Sequence, residues 1–338
     1  MFYYELGSVF KYHSSFVFNY RQDGIRYTPE DRIVYHYTSP EGFLGILSGQ
    51  SLRFTDISYM NDRSEGIYFV KVLLDFLAKN QGKFPLCEDV INNLLDKNSF
   101  DDIKRLNITK IKYNGNWSNS RRPVRSFVFC TCSDADSLNM WNYYVKNGTY
   151  QGYNIGIKVE SFLEYIGRLL PEKDTTSLYY GKVLYNLKKQ EEEIEYLLTK
   201  MEEVMEDSIK DLSNIQNIMM WYLRHYIELY GVFYKHPKFE GEKEYRFVIE
   251  AEEKDGYNLP FDSKEIGGMK KSIREDFCVK NGIIAPYLTV PFGNDTISRV
   301  YISPMTEFDI AKRSIKELTY RKDYRVFSIY QSKIPIRY

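Results

Sequence analysis

Apolar residues along this chain alternate between helical and strand-like spacing, and the switches outline its elements. At 34–54 an apolar-aromatic strand carrying His36 runs into a Ser/Thr-Pro-Glu helix start at 38–41. A short helix ends near Gly49, and a second strand follows at 52–54. Ile67, Val70, Leu73, Leu74 and Leu77 recur at three- and four-residue steps and predict a helix over 65–80. Val90, Ile91, Leu94 and Leu95 carry helical patterning through 86–112, before a polar loop at 113–123 that closes on Pro123. Residues 126–131 and 152–159 read as strands, with a short helix at 138–144 between them.

The longest periodic segment spans 186–230, from Ile194, Leu197, Leu198 and Met201 through Met219 and Leu223, with an acidic face that includes Glu191, Glu192, Glu193, Glu202 and Glu203. As one helix it would reach about 65 Å, too long for a core of this size. A break near 208–213 and an antiparallel helix pair are therefore expected, the acidic first half facing solvent. Strands resume at 245–251, 288–290 and 299–302, and a helix at 307–318 and a strand at 324–330 close the pattern. Residues 1–30 read as short aromatic strands with a hairpin-type turn at Asp23-Gly24. Strands bracketing a central helical block predict an α+β class. The expected organisation is a single domain over 1–338, its core at about 31–160 and 235–338, with a helical insertion at about 186–230.

Composition narrows the functional classes. Lys+Arg and Asp+Glu are equal at 46 each, so the chain as a whole has no charge-driven affinity for nucleic acid or acidic membranes; Arg121, Arg122 and Arg125 are its densest basic cluster. The 31 tyrosines suit half-buried strands through an apolar face and a polar tip. Four cysteines without a Cys-x-x-Cys pair, and four histidines without zinc spacing, predict no metal and a reducing, cytoplasmic setting. Met1-Phe2-Tyr3-Tyr4-Glu5 lacks the charged leader and apolar core of a signal peptide, and no apolar run is long enough to span a membrane, so no membrane partner is expected. Neither a Gly-x-Gly-x-x-Gly after a strand nor a phosphate-binding Gly-Lys-Ser/Thr loop is present.

Two places carry candidate chemistry. His36 sits at a strand end beside Thr38 and a helix N-terminus, where backbone donors converge; the simpler reading is a hydrogen-bonded strand histidine. Glu242, Glu244 and Arg246 alternate and so share one strand face, which is costly to bury unless the charges are paired or used. A carboxylate there is suited to steadying an oxocarbenium-like transition state and activating a nucleophile; the simpler reading is a solvated edge strand with a Glu–Arg pair. Asp62 with Glu65 fits a capping box, and Trp141 reads as core.

The arrangement at 34–54 resembles the first motif of ADP-ribosyltransferases of the His-Tyr-Glu type, the diphtheria-toxin and poly(ADP-ribose) polymerase class. Tyr68, in Glu65-Gly66-Ile67-Tyr68-Phe69, resembles the tyrosine segment of the polymerase branch. The resemblance implies an ADP-ribosyltransferase-like split β-sheet and NAD as substrate. It implies a catalytic His36, Tyr68 and Glu244 converging on one cleft, and NAD contacts from His36, Tyr37, Thr38, Arg53 and Tyr68. The class often has Gly where this chain has Tyr37, so the Tyr37 side chain must point away from the pocket. The acceptor of ADP-ribose would be a protein, a nucleic acid or water. A binding or sensor module that keeps the fold without the chemistry, and an RNA 2′-phosphotransferase-like enzyme, are the alternatives.

A broader resemblance rests on ordered blocks: Asn61-Asp62-Arg63-Ser64-Glu65, Cys130-Thr-Cys-Ser-Asp-Ala-Asp-Ser-Leu-Asn-Met-Trp141, the Phe239-to-Arg246 run, Ile302-Ser-Pro304 and Ser332-Lys-Ile-Pro-Ile-Arg337. These are similar to the bacterial domain of unknown function 2971 family, associated with abortive infection and phage defence. That family usually has Pro at the position of Arg63. The resemblance implies a toxin or effector, an antitoxin or regulatory defence protein as partner, and room for an oligomer.

Overall fold

The computed structural model describes residues 17–60, 67–94, 124–145, 151–171, 175–206, 219, 223, 226–227, 229–254, 258–280, 282–324 and 327–335. Among them thirteen strands and eight α-helices form an α+β arrangement. The chain divides into two compact units. One comprises Met1–Val17, Ile57–Pro123 and Val183–Glu240; the other comprises Phe18–Asp56, Val124–Lys182 and Gly241–Tyr338.

The axis of the second unit is β4 (Val124–Cys132). Along one edge it pairs antiparallel with β7 (Glu244–Glu252), from Val124↔Glu252 to Cys132↔Glu244. Its other edge is divided: Phe127 and Val128 pair with β3 (Ser51–Asp56), while Cys132 pairs with β2 (Ile33–Thr38). From β2 the sheet continues through β5 (Tyr153–Lys158) and β12 (Ile297–Ile302) to β13 (Ser328–Gln331), the last pair parallel. From β3 it continues antiparallel through β11 (Ile283–Pro291) to β10 (Arg274–Lys280). Beyond β7 lie β6 (Thr176–Lys182) and β1 (Val17–Asn19), and β8 (Lys264–Ile266) with β9 (Met269–Lys271) forms a separate hairpin.

The helix α2 (Pro40–Gly49) carries the chain across this division. Ser39 caps it by accepting from the Gly42 N–H at 3.1 Å, Pro40 opens it, and Gln50 closes it in the left-handed region. A Cβ on Gly42 would come within 2.1 Å of Thr38 Oγ1, so the glycine leaves room for the Thr38 hydroxyl where α2 starts at the end of β2.

A layer of phenylalanines, Phe54, Phe127, Phe129, Phe162 and Phe247, fills the core under one face of the sheet. The helix α6 (Val159–Leu169) supplies Phe162 and buries Val159, Leu163, Ile166 and Leu169. Both α6 and β6 are additional to the elements expected from periodicity. Asp23-Gly24 closes a one-turn helix, α1 (Tyr20–Asp23), and is not a hairpin turn: Asn19 caps α1, Asp23 accepts from the Asn19 N–H, and Gly24 at φ 68° terminates it.

In the first unit, α3 (Ile67–Lys79), α4 (Pro85–Leu94) and α7 (Leu187–Glu206) pack through Phe69, Leu73, Phe76, Val90, Leu198 and Met201, all buried. The expected break at 208–213 lies outside the described residues, as do Asp62, Glu65, Arg121 and Arg122. The acidic face of α7 is not uniformly solvated. Glu202 is buried and accepts from the Leu86 N–H at 2.9 Å and the Cys87 N–H at 3.0 Å, so its charge meets the N-terminus of α4. Two orphan helix donors, rather than water, take this carboxylate. Glu202→Ala should lower unfolding stability by about 2 kcal/mol, because those buried donors lose their acceptor, whereas Glu192→Ala on the solvated face should change it by less than about 0.5 kcal/mol. Urea denaturation of the two variants checks this.

Candidate functional site

His36 lies where β4's edge changes partner. Its Nδ1 bonds the Cys130 carbonyl at 3.1 Å, and Cys130 falls between the stretch of β4 paired to β3 and the residue paired to β2. A carbonyl only accepts, so Nδ1 carries the proton and Nε2 is the acceptor of the neutral ring. The ring also packs on Phe129, centroids 4.8 Å apart. Desolvation depresses the imidazole's basicity below its usual value, and the Cys130 hydrogen bond opposes this in part.

Strand alternation separates His36 from Glu244. Residues directly opposite on adjacent strands share a face, so Tyr35↔Cys132 and Cys132↔Glu244 place Tyr35, Cys132 and Glu244 together. His36, one residue from Tyr35, points to the other face, toward Phe129. The expected convergence of His36 and Glu244 is thus corrected: the two occupy opposite sides of the sheet, because alternation along β2 has a period of two.

Tyr37 points away from His36, as the Tyr-for-Gly exchange required, and its side chain is structural. Its hydroxyl donates to the Asp134 carbonyl at 2.8 Å and accepts from the Ser137 N–H at 2.9 Å, and its ring meets Trp141 edge-on. It thereby pins the 133–137 loop that leads into α5 (Leu138–Tyr144). Asp136 in that loop accepts from Trp141 Nε1 (2.7 Å), Ser332 Oγ (2.6 Å) and the Lys333 N–H (2.7 Å). The Ser133 N–H donates to the Lys243 carbonyl at 2.9 Å, and Lys243 Nζ reaches Asp134. Three of the sequence blocks singled out above therefore meet here. Lys243 itself sits at φ 44°, a conformation that costs a non-glycine residue roughly 1 kcal/mol or more, and it sets the entry of the chain into Glu244.

Glu244 and Arg246 are 3% and 0% exposed, and Arg246 Nε donates to Glu244 Oε2 at 2.5 Å. The solvated-edge alternative is excluded, since β7 lies between β4 and β6. Glu242 is buried beside them, and Cys130 stands opposite Arg246. The Tyr144 hydroxyl, at the end of α5, enters the same group. Desolvation first, then the Glu244 and Glu242 charges and Cys130, push it above the ordinary phenol range, while Arg246 pulls it down. Glu242, Glu244 and Arg246 thus form a buried group of two carboxylates and a guanidinium, with the half-buried Cys130 thiol and the phenol of Tyr144, a residue 41% exposed, at its margin. Of these Tyr144 had no sequence signal; it is one tyrosine among 31.

The remaining expected contacts have structural partners of their own. Arg53 stacks its guanidinium over Tyr287, 4.7 Å from the ring centroid, and Thr38 packs on the first turn of α2. Tyr68 belongs to the first unit, where its hydroxyl donates to Gln190 at 3.1 Å and its ring meets His236. Gln190, fully buried, donates in turn to the Leu184 and Lys235 carbonyls. Arg125, from the basic cluster, is held by Asp56 at 3.1 Å and Glu275 at 2.5 Å.

The fold and this group of side chains define an α+β protein with a divided sheet and a buried charged strand face. Residues 140–247, from within α5 into β7, match the model of a protein family of unknown function, DUF2971. That match takes in Tyr144, Glu242, Glu244 and Arg246 and supports the second of the two resemblances. No curated protein and no solved structure matches the chain. Among the described residues, no helix is long and apolar enough to cross a membrane.

The depressed basicity of His36 has a pH signature. Below the usual histidine value of 6.5 the unfolded chain takes up a proton that the folded chain resists, so this group's contribution is present at neutral pH and falls as the solution is acidified. The slope approaches about 1.4 kcal/mol per pH unit for one proton. His36→Asn offers an amide N–H for the Cys130 carbonyl without titrating; its stability should fall less steeply than wild type between pH 7 and pH 5 in parallel urea titrations.

Proposed function

We propose that the protein is an NAD-consuming enzyme of the ADP-ribosyltransferase kind, acting as an effector in bacterial anti-phage defence, whose chemistry belongs to the Glu244 face and not to a His-Tyr-Glu triad. One observation carries the reading: two carboxylates and a guanidinium are buried together, Glu244 and Arg246 on one face of β7 and Glu242 in the turn that precedes it, with the phenol of Tyr144 from α5 at their margin. Such charges are expensive to bury and are a common mark of sites where protonation states are tuned. The choice of NAD rests on the likeness of residues 34–54 to the transferase motif.

On this reading the Glu244 carboxylate, oriented by Arg246, stabilises the positive charge that develops at the ribose carbon as its bond to nicotinamide breaks. The bonding pair leaves with the nicotinamide nitrogen, which becomes neutral. An acceptor oxygen of a protein, a nucleic acid or water then bonds the same carbon, and its proton passes to Glu242. Tyr144 would position the acceptor. Arg246 is already paired to Glu244, so the diphosphate must be held by other donors.

The opposite placement of His36 and Glu244 favours a second reading, a binding or sensor module of the same architecture without turnover. Labelled NAD incubated with the protein and cell lysate separates the two: label on protein, on nucleic acid or in free ADP-ribose supports the enzyme, and unchanged NAD supports the module. Glu244→Gln should abolish turnover and relieve toxicity on expression. It should also destabilise the fold by on the order of 3 kcal/mol, since it strips the charge facing a buried guanidinium. Tyr144→Phe removes only a hydroxyl, so it should reduce turnover while leaving the melting temperature within a few degrees of wild type. Undiminished NAD consumption in a folded Tyr144→Phe variant would remove Tyr144 from the site.

A further inference from the structure

The outer strand of the β3–β11–β10 branch is built to pair with another strand. Among the described residues β10 has β11 as its sole strand neighbour. Phe277, Val279 and Ile284 are 61%, 78% and 69% exposed. Val279 faces Ile284 in the ladder and Phe277 lies two residues from Val279, so the three form an apolar strip on one face. An exposed apolar edge strand is a template for strand addition. Phe277 stands opposite Pro286, which has no N–H to offer, and its own N–H donates to Asp276 Oδ1 at 2.8 Å. Phe277 and Val279 therefore direct their backbone groups outward.

We propose that this edge binds a second copy of the chain, antiparallel, about a two-fold axis through Cys278. That register sets Phe277 against the partner's Val279 and Asp276 against the partner's Lys280, apolar to apolar and anion to cation. The outward residues 277 and 279 become the hydrogen-bonded positions, as antiparallel pairing requires, the Phe277 N–H exchanging its bond to Asp276 Oδ1 for one across the seam. Neighbouring registers lose this complementarity. An axis through Phe277 opposes Arg274 to the partner's Lys280, and an axis through Asp276 opposes that carboxylate to its own copy, both like-charge pairs that disfavour association. The match is isologous, as a closed dimer demands.

The axis also brings the two copies of Cys278 face to face at a non-hydrogen-bonded position, where opposed side chains approach most closely and a disulfide can bridge them. Cys278 is partly exposed and free, so it reports the register. Sedimentation velocity over about a hundredfold range of concentration should show wild-type protein passing from monomer to dimer. Val279→Lys, a change at an exposed position, should hold it monomeric. Treatment with diamide should yield a covalent dimer from wild type and from neither Val279→Lys nor Cys278→Ser, while Cys278→Ser should still dimerise without the cross-link. A wild-type protein that stays monomeric throughout, a dimer that survives Val279→Lys, or an undiminished cross-link in Cys278→Ser would each overturn the proposal.

Discussion

The edge of β4 must serve two strands at once, and the second unit is arranged around that constraint. β2 takes its C-terminal end and β3 its N-terminal half, while β7 runs unbroken along the other side. Two strands can share an edge in this way only if a connector diverts the chain between them, which α2 does. The backbone between the two pairings must also keep its hydrogen bonds, and the imidazole of His36 serves the Cys130 carbonyl there. A buried polar group is satisfied, and the sheet divides without leaving an orphan at its centre.

The same division separates two chemistries. One face of the sheet is a dry aromatic core into which His36 leans. On the other face Tyr37, Trp141 and Cys132 pack together, the 133–137 loop is tied to the C-terminal segment through Asp136, and Glu244 and Arg246 form a buried ion pair. Buried ion pairs contribute little net stability, and the proposed function rests on the place of this one on a central strand, with a second carboxylate beside it. Tyr37 and Asp136, by contrast, have every contact explained by holding a loop in place.

Sequence patterning located most elements within a few residues. The 138–144 helix, the helix after Gly66 and the strand beginning at Glu244 were legible because their apolar spacing is strong and local. β6 was not, because a strand flanked by β1 and β7 is buried on both faces and shows no alternation. The strand at β10 was missed as well: Phe277, Cys278 and Val279 form a short apolar run without alternation, and the segment contributes almost nothing to the core. α6 carries a clear helical stripe interrupted by Gly167, whose absent side chain is occupied by the Tyr20 ring, a contact far away in sequence.

The sequence by itself determined the α+β class and the placement of Glu244 and Arg246 on one face of the strand at 244–252, because these depend on local period. Which parities are matched was decided only by tertiary pairing: Tyr35 with Cys132 and Cys132 with Glu244 are contacts between residues about a hundred positions apart. A shift of one residue in either register would have put His36 and Glu244 on the same face. No local pattern specifies such a register; it follows from the simultaneous burial of Tyr37 and Trp141 on one side and Phe129 and Phe247 on the other.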